Sequence, residues 1–165
     1  ETGVVILKDG AILEKTLIKS KPVGDKPISE LRRIRTIVQQ IGEIVWKHKP
    51  IIACIEGLAY MVRNTSALVQ LSALNYMTRA LLADSNIPFI IVAPTTLKKF
   101  VTGNGASKKD VMLIETYKRW GVTILNDNIS DGYGLAQIGL ALMGGNTKSV
   151  TKIQQEVLNL LSKQM

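Results

Sequence analysis

The sequence predicts an α/β fold built on a mixed sheet. Three features carry that prediction. A hairpin of apolar runs opens the chain, a long stretch of helical period follows, and short strand-like runs then alternate with further helical stretches. At 165 residues, 46% of them hydrophobic, the chain is long enough for one compact domain with a real core. Its charges are mixed along its length, which sets it apart from a disordered polymer.

Each element has a local reason. "GVVILKDGAILEKTLIKS" (3–20) reads as the hairpin, because two apolar runs flank Asp9-Gly10, a two-residue turn signal. "KPVGDKP" is a loop. From Ser29 onward Leu31, Ile34, Val38, Ile41 and Val45 recur at threes and fours, which predicts a helix that Pro50 stops. "IIACIE" (51–56) follows as a buried strand. Asn64-Thr65-Ser66 supplies capping residues for a helix over 66–84. That helix is apolar around much of its circumference, a pattern suited to burial against both the sheet and a second subunit. "IPFIIVAP" (87–94) is another short strand, and "TTLKKFVTGNGASKKD" (95–110) a basic connector with one helical turn. Ser107 is the expected cap of a helix that runs to about Trp120 and is closed by Gly121. "VTIL" (122–125) reads as a short strand. "NDNISDGYGLAQIGLALMG" (126–144) begins with turn and cap residues and becomes a helix, and a last helix is expected from about Ser149 to Lys163.

Composition narrows the functional classes. No apolar run approaches the roughly 20 residues that span a bilayer, and no basic stretch leading into an apolar one opens the chain. Neither a membrane segment nor a signal peptide is expected. The one cysteine, Cys54, lies inside an apolar strand and reads as a buried thiol in a reducing compartment, which points to the cytoplasm. The one histidine, His48, sits in a Lys-His-Lys run and reads as a solvated helix end. With sulfur and imidazole so scarce, a zinc centre is not expected. The formal charge of +8 favours an anionic partner, nucleic acid before a membrane surface.

Glu56 is where chemistry first shows. A strand of apolar residues ends on this carboxylate, and in open α/β sheets ligands gather at such strand ends. A carboxylate rooted on a buried stem calls for a cation. Asp127 and Asp131 form a second acidic group, placed on one helix face by their i, i+4 spacing. For Asp127 and Asn128 an N-cap role is the alternative. Asp131 lies a turn further in, and Gly132, Gly134, Ala136 and Gly139 would let its helix approach the sheet closely enough for Asp131 to face Glu56. Carboxylates on separate elements of a basic protein suit Mg²⁺ or Mn²⁺, which take oxygen ligands and leave room for phosphate and water. Two such ions about 4 Å apart can clamp both oxygens of a phosphodiester cut. Lys98, Lys99, Lys108 and Lys109 flank "GNG" and together can line a phosphate path. Arg63 and Tyr60, just beyond Glu56, are placed to contact a phosphate and stack on a base; solvated lysines and an ordinary loop are the plainer readings.

In the stretches "TGVVIL", "IIACIEGL", "NTSALVQLSALNYMTRALL", "VAPTTLKKFVTGNGASKKDV" and "SDGYGLAQIGLAL", taken in order, the chain resembles the RuvC-type Holliday junction resolvases of the RNase H-like superfamily, most of all the phage members. The resemblance implies a five-stranded RNase H-like sheet and a homodimeric, divalent-metal endonuclease. Such an enzyme makes paired nicks in a four-way DNA junction in recombination and repair. It further implies that Glu56 and Asp131 are metal-binding catalytic carboxylates. Lys98 and Lys109 match positions where the family keeps DNA-contacting or catalytic lysines. Ser66 to Ala83 matches the dimer helix, and Ala59–Asn64 the segment that probes the junction centre. Two departures stand out. Where the family has another aspartate, this chain has Asn128, so either Asp127 or Asn128 fills that ligand position. The family's central first strand, with its primary aspartate, is expected upstream of Glu1; without it the flanking strands keep unpaired edges and the site is incomplete. The competing reading is an inert domain of the same fold that binds branched DNA without cutting it.

Overall fold

The computed structural model describes residues 1–21, 24, 26–58, 65–145 and 149–165, the last two segments without the side chain of Thr65. The hairpin is formed by β1 (Thr2–Lys8) and β2 (Ala11–Ile18), paired antiparallel. Asp9 and Gly10 join them at φ 52° and 84°. Two left-handed residues in succession suit the twist of the flanking strands, and a glycine takes the second at no steric cost. Helix α1 (Pro27–His48) begins two residues earlier than the periodicity suggests, because Pro27 supplies a preset first helical residue. It ends at Lys49, whose φ of 45° closes the helix before Pro50.

The second strand pair is β3 (Ala53–Glu56) and β4 (Phe89–Val92), parallel, with Ala53 opposite Phe89 and Glu56 opposite Val92. Helix α2 (Thr65–Asp84) is the crossover between them. Cap residue Asn64, and the Tyr60 and Arg63 candidates, lie outside the described residues. The basic connector holds more order than one turn: α3 (Pro94–Thr102) is a nine-residue helix closed by Gly103 at φ 85°. Lys98 and Lys99 therefore stand on a helix rather than in a loop.

Helix α4 (Lys109–Trp120) ends on Gly121 as expected, but Ser107 does not cap it. The Ser107 hydroxyl donates instead to the Asn104 carbonyl (2.8 Å) and lies 2.7 Å from Thr102 Oγ1, folding the turn between α3 and α4. Residues 122–125 form no strand. Val122 and Ile124 pack, with Ile124 buried beside Ile129 and Tyr133, but none of the described strands offers them a ladder. Helices α5 (Asp127–Leu142) and α6 (Lys152–Leu161) complete the chain, followed by a 3₁₀ turn, Ser162–Gln164. Helix α6 starts later than Ser149 because Thr151 and Gln154 form a capping box there.

Strand parity sorts the core into layers. Ala53, Ile55 and Phe89 face Ile37, Ile41, Val45 and Leu82 of α1 and α2. Ile52, Cys54, Ile90 and Val92 face the other side, against Leu97, Phe100, Val101, Leu135 and Ile138 of α3 and α5, with Val157, Leu158 and Leu161 of α6 behind them. The α/β class holds, but the described strands make two separate two-stranded sheets, not one of five. Both sheets rest on α5. On the far side of β4, the Gln164 side-chain amide donates to Ile91 O and accepts from Ile91 N, both at 3.0 Å, and stands in for a neighbouring strand.

One tie joins hairpin to helix. Glu14 Oε2 lies 2.6 Å from Lys47 Nζ and 2.8 Å from His48 Nε2, while Thr16 donates to Oε1 at 3.1 Å. His48 is thus a partly buried partner of Glu14, not a solvated residue. The hydrogen bonds from Lys47, then His48, then Thr16 hold the Glu14 carboxyl down at about 2 from its ordinary 4.5. A depressed carboxyl contributes stability that is present above its unfolded pKa and lost as pH falls through the folded one. Stability should therefore drop between pH 4.5 and about 2, and Glu14→Gln should flatten that part of the curve in denaturant titrations across this range. A second contact is steric. A Cβ on Gly3 would sit 2.1 Å from the Asn128 carbonyl oxygen at the start of α5. Backbone cannot step aside as a side-chain tip can, so Gly3→Ala should cost about 1–3 kcal/mol in urea unfolding.

Candidate metal and DNA site at the strand ends

Glu56 closes β3 on the same face as Cys54, toward α5. Helix α5 is seated there by small residues. A Cβ on Gly132 would lie 3.3 Å from Gly3 O and from Val5 Cγ2, and one on Gly139 3.1 Å from Cys54 Sγ. A side chain at either position would need its neighbours to give by a few tenths of an ångström. The Cys54 thiol, buried in this contact, is pushed up to about 12, which fits an inert packing group.

The start of α5 fixes its acids. The cap is Asn126, whose side chain accepts from Ile129 N at 3.1 Å, so neither Asp127 nor Asn128 serves as N-cap. Asp127 becomes the first helical residue and Asp131 stands one turn in. Asn128 is half-buried, with its carbonyl against Gly3.

Glu56 and Asp131 feel one another. Solvent reaches Glu56, yet the surrounding protein desolvates it enough to raise its pKa, and the charge of Asp131 raises it further; Lys98 and Lys109 oppose both. Asp131, half-buried, is raised by burial foremost and by Asp127, and is lowered by Lys109 and Lys98. The two carboxylates and two lysines thus share one electrostatic neighbourhood at the carboxyl ends of the parallel strands.

The other candidates divide. Lys109 forms an ion pair with Asp127, raising the lysine and lowering the aspartate. Lys99 is drawn away from the site by Glu156 of α6, at 3.3 Å. Lys108 is exposed on the turn before α4. One residue escaped the sequence reading: Asn75 of α2, buried, donates through Nδ2 to the Glu56 carbonyl at 2.9 Å. Its only signal was an amide inside the apolar run "LSALNYM".

An α/β layer with acids and lysines at the carboxyl ends of its parallel strands defines the class of a candidate metal and phosphate site. A family model described as "Crossover junction endodeoxyribonuclease RuvC" matches residues 2–137. The chain belongs to the RuvC family, a family of divalent-metal-dependent crossover junction endodeoxyribonucleases. It is 26% identical over 145 residues to the RuvC of Carboxydothermus hydrogenoformans, covering 87% of this chain and 89% of that one. With the RuvC of Brachyspira hyodysenteriae it shares 30% identity over 105 residues, 64% of this chain and 65% of the relative. The fold matches Thermus thermophilus RuvC with a TM-score of 0.66 at 16% identity, over 88% of this chain and 89% of that one. A structure of that protein in complex with a Holliday junction substrate matches with a TM-score of 0.69 at 17% identity, over the same shares.

The residues present fit a hard divalent cation. Among the described residues no group of three or more His, Cys, Asp or Glu side chains is gathered closely enough to hold an ion. Magnesium, however, needs only one or two protein carboxylates when substrate phosphate supplies the rest. Glu56 and Asp131 are such a pair, mutually repelling and partly desolvated. Raised carboxyls of this kind weaken the folded state near neutrality. Glu56→Gln and Asp131→Asn should accordingly raise the Tm of the metal-free protein, by about 1–3 °C given the solvent screening at the site, as calorimetry with and without chelator would show.

Proposed function

We propose that this chain cuts four-way DNA junctions, and other branched DNA, by paired nicks made by a homodimer. What supports this most is the pairing of Glu56 with Asp131 beside Lys98 and Lys109 at the strand ends. Glu56 and Asp131 are the proposed holders of Mg²⁺ or Mn²⁺, two ions in the complete site, with Asp127 or Asn128 as the further ligand. Such ions supply Lewis-acid charge and an activated water when bound. The chain's own part is to hold Glu56 at the end of a paired strand, to press Asp131 toward it through the glycines of α5, and to offer Lys98 and Lys109 to a phosphate. Lys108, Arg63 and Tyr60 are further proposed DNA contacts, and Lys99 a weaker one while Glu156 holds it.

The reading includes one more strand. Helix α5 meets β1 at Gly132 and β3 at Gly139, seven residues or about 10 Å apart along its axis. Two strand spacings also come to about 10 Å. A strand between β1 and β3 would fill that width, and an aspartate at its end would join Glu56 and Asp131.

The dimer is proposed through α2. Asn75 stands level with the end of β3, so Thr65–Leu74 runs about 15 Å beyond it; Val69 and Leu71 are exposed there, and Tyr76 is exposed next to Asn75. A Tyr76→Glu change should shift light-scattering mass from dimer toward monomer.

An inert junction-binding domain is the second reading. The Lys109–Asp127 ion pair favours it, because it occupies a carboxylate the metal site would use. A cleavage assay decides between them. The full-length protein, given Mg²⁺ and a synthetic four-way junction, should make symmetric nicks; Glu56→Gln and Asp131→Asn should abolish cutting and keep binding. Binding without nicks in the unmutated protein would select the inert reading. Lys98→Ala and Lys109→Ala should each lower the slope of log affinity against log salt by about 1, with a smaller change for Lys99→Ala.

A further inference from the structure

The Glu56 backbone is bonded to an amide that the proposed chemistry leaves unused. Asn75 Nδ2 donates to the Glu56 carbonyl at 2.9 Å. The side chain is buried, and its Oδ1 has no hydrogen-bond partner among the described residues. It sits where α2 passes the end of β3, and the neighbouring Tyr76 is exposed with the Arg79 guanidinium 4.7 Å over its ring. A turn earlier, Gln70 accepts from Arg33 Nη2 of α1 at 2.5 Å. The projecting half of α2 is therefore tied down at two points. Gln70 binds it to another helix, and Asn75 binds it to the backbone of the carboxylate residue itself.

Resting on the nuclease reading above, we propose that Asn75 is a positioning residue for Glu56. The strand ladder stops at this point: Gly57 N still bonds Val92 O at 2.7 Å, and Pro94 then starts α3. On that side β3 is fixed by β4. The Glu56 carbonyl is held from α2, and the Asn75 amide fixes the peptide plane from which the Glu56 side chain springs. A carboxylate whose backbone is clamped on both sides is aimed before any ion arrives, so less order has to be imposed on binding. The clamp also couples the site to α2, so that whatever grips the exposed face of α2 bears on the aim of Glu56. Leucine of similar shape fills the space, and because Oδ1 makes no bond among the described residues the loss is confined to the donor on the Glu56 carbonyl. That loss costs stability as well as aim, so the variant's unfolding free energy is measured beside its ion affinity.

The test is Asn75→Leu in the full-length protein. Mn²⁺ affinity is read by electron paramagnetic resonance without DNA, junction affinity in EDTA, mass by light scattering, and cleavage against Mn²⁺ concentration. The proposal expects Mn²⁺ binding about tenfold weaker and a cleavage rate that recovers at high Mn²⁺. Junction affinity and dimer mass should stay within about twofold of the parent protein. Unchanged Mn²⁺ affinity would overturn it, and so would a parallel loss of junction affinity and dimer, which would make Asn75 merely structural. Should Asn75→Leu not fold, Asn75→Ser, too short to reach the carbonyl, is judged by the same readings. A parent protein that neither binds Mn²⁺ nor nicks the junction would instead sink the nuclease reading, and with it the role given to Asn75.

Discussion

The close seating of α5 on the two strand pairs is the constraint from which the rest follows. Gly132 admits the backbone of β1 and Gly139 admits the side chain of Cys54. Those contacts set the height of the helix over the sheet. Asp131, one residue before Gly132, then has no freedom but to look across at the end of β3, where Glu56 stands. A side chain larger than alanine at either glycine would press on these neighbours and strain the seat that brings the two acids together. Packing, not attraction, makes the site, because two like charges would otherwise move apart.

That repulsion has a chemical use. Burial raises both carboxyls, Asp131 raises Glu56 further and Asp127 raises Asp131, while Lys98 and Lys109 draw them back toward ionisation. The lysines come from the start of α4 and from α3. Helix α3 is itself braced by α6, through Lys99–Glu156 and the Gln154 amide on the Phe100 carbonyl at 3.2 Å. A helix beyond the span matched by the family model thus steadies the helix that presents Lys98. The result is a site short of positive charge at its centre and supplied with it at the rim. A dication and a phosphodiester would meet both needs, the ion at the carboxylates and the phosphate at the lysines.

Much of this was legible in the sequence where local chemistry decides the outcome. Asp9-Gly10 forces the hairpin, because two successive left-handed residues leave few alternatives. Pro27, Gly103 and Gly121 end or begin helices for equally local reasons. The errors fall where several residues compete or where the partner is distant. Asn126, Asp127 and Asn128 can each cap a helix, and only the packing of Asn128 against Gly3 selects Asn126. "VTIL" has the composition of a strand, but it pairs with none of the described strands. Ser107 met a nearer carbonyl than the helix it was expected to cap. The partners of His48, Lys99 and Glu56, namely Glu14, Glu156 and Asn75, lie 34, 57 and 19 residues away, beyond what periodicity can register.

The candidate site divides along the same line. That Glu56 and Asp131 matter was readable, since a carboxylate on an apolar strand and another among glycines are both costly placements without a purpose. Which lysines serve them was not. Four lysines around one "GNG" look alike in sequence, and the fold gives each a different neighbour. Lys98 acts on the carboxylates through its charge, Lys99 pairs with Glu156, Lys109 pairs with Asp127, and Lys108 is exposed. An approaching phosphate would therefore meet them unequally. It would compete with Asp127 for Lys109, whereas the charge of Lys98 is balanced only at a distance by the acids. A cation held by those acids would take over that balance and leave the charge of Lys98 to the phosphate. Binding of ion and of phosphate would then favour one another through a single side chain, without any movement of the backbone.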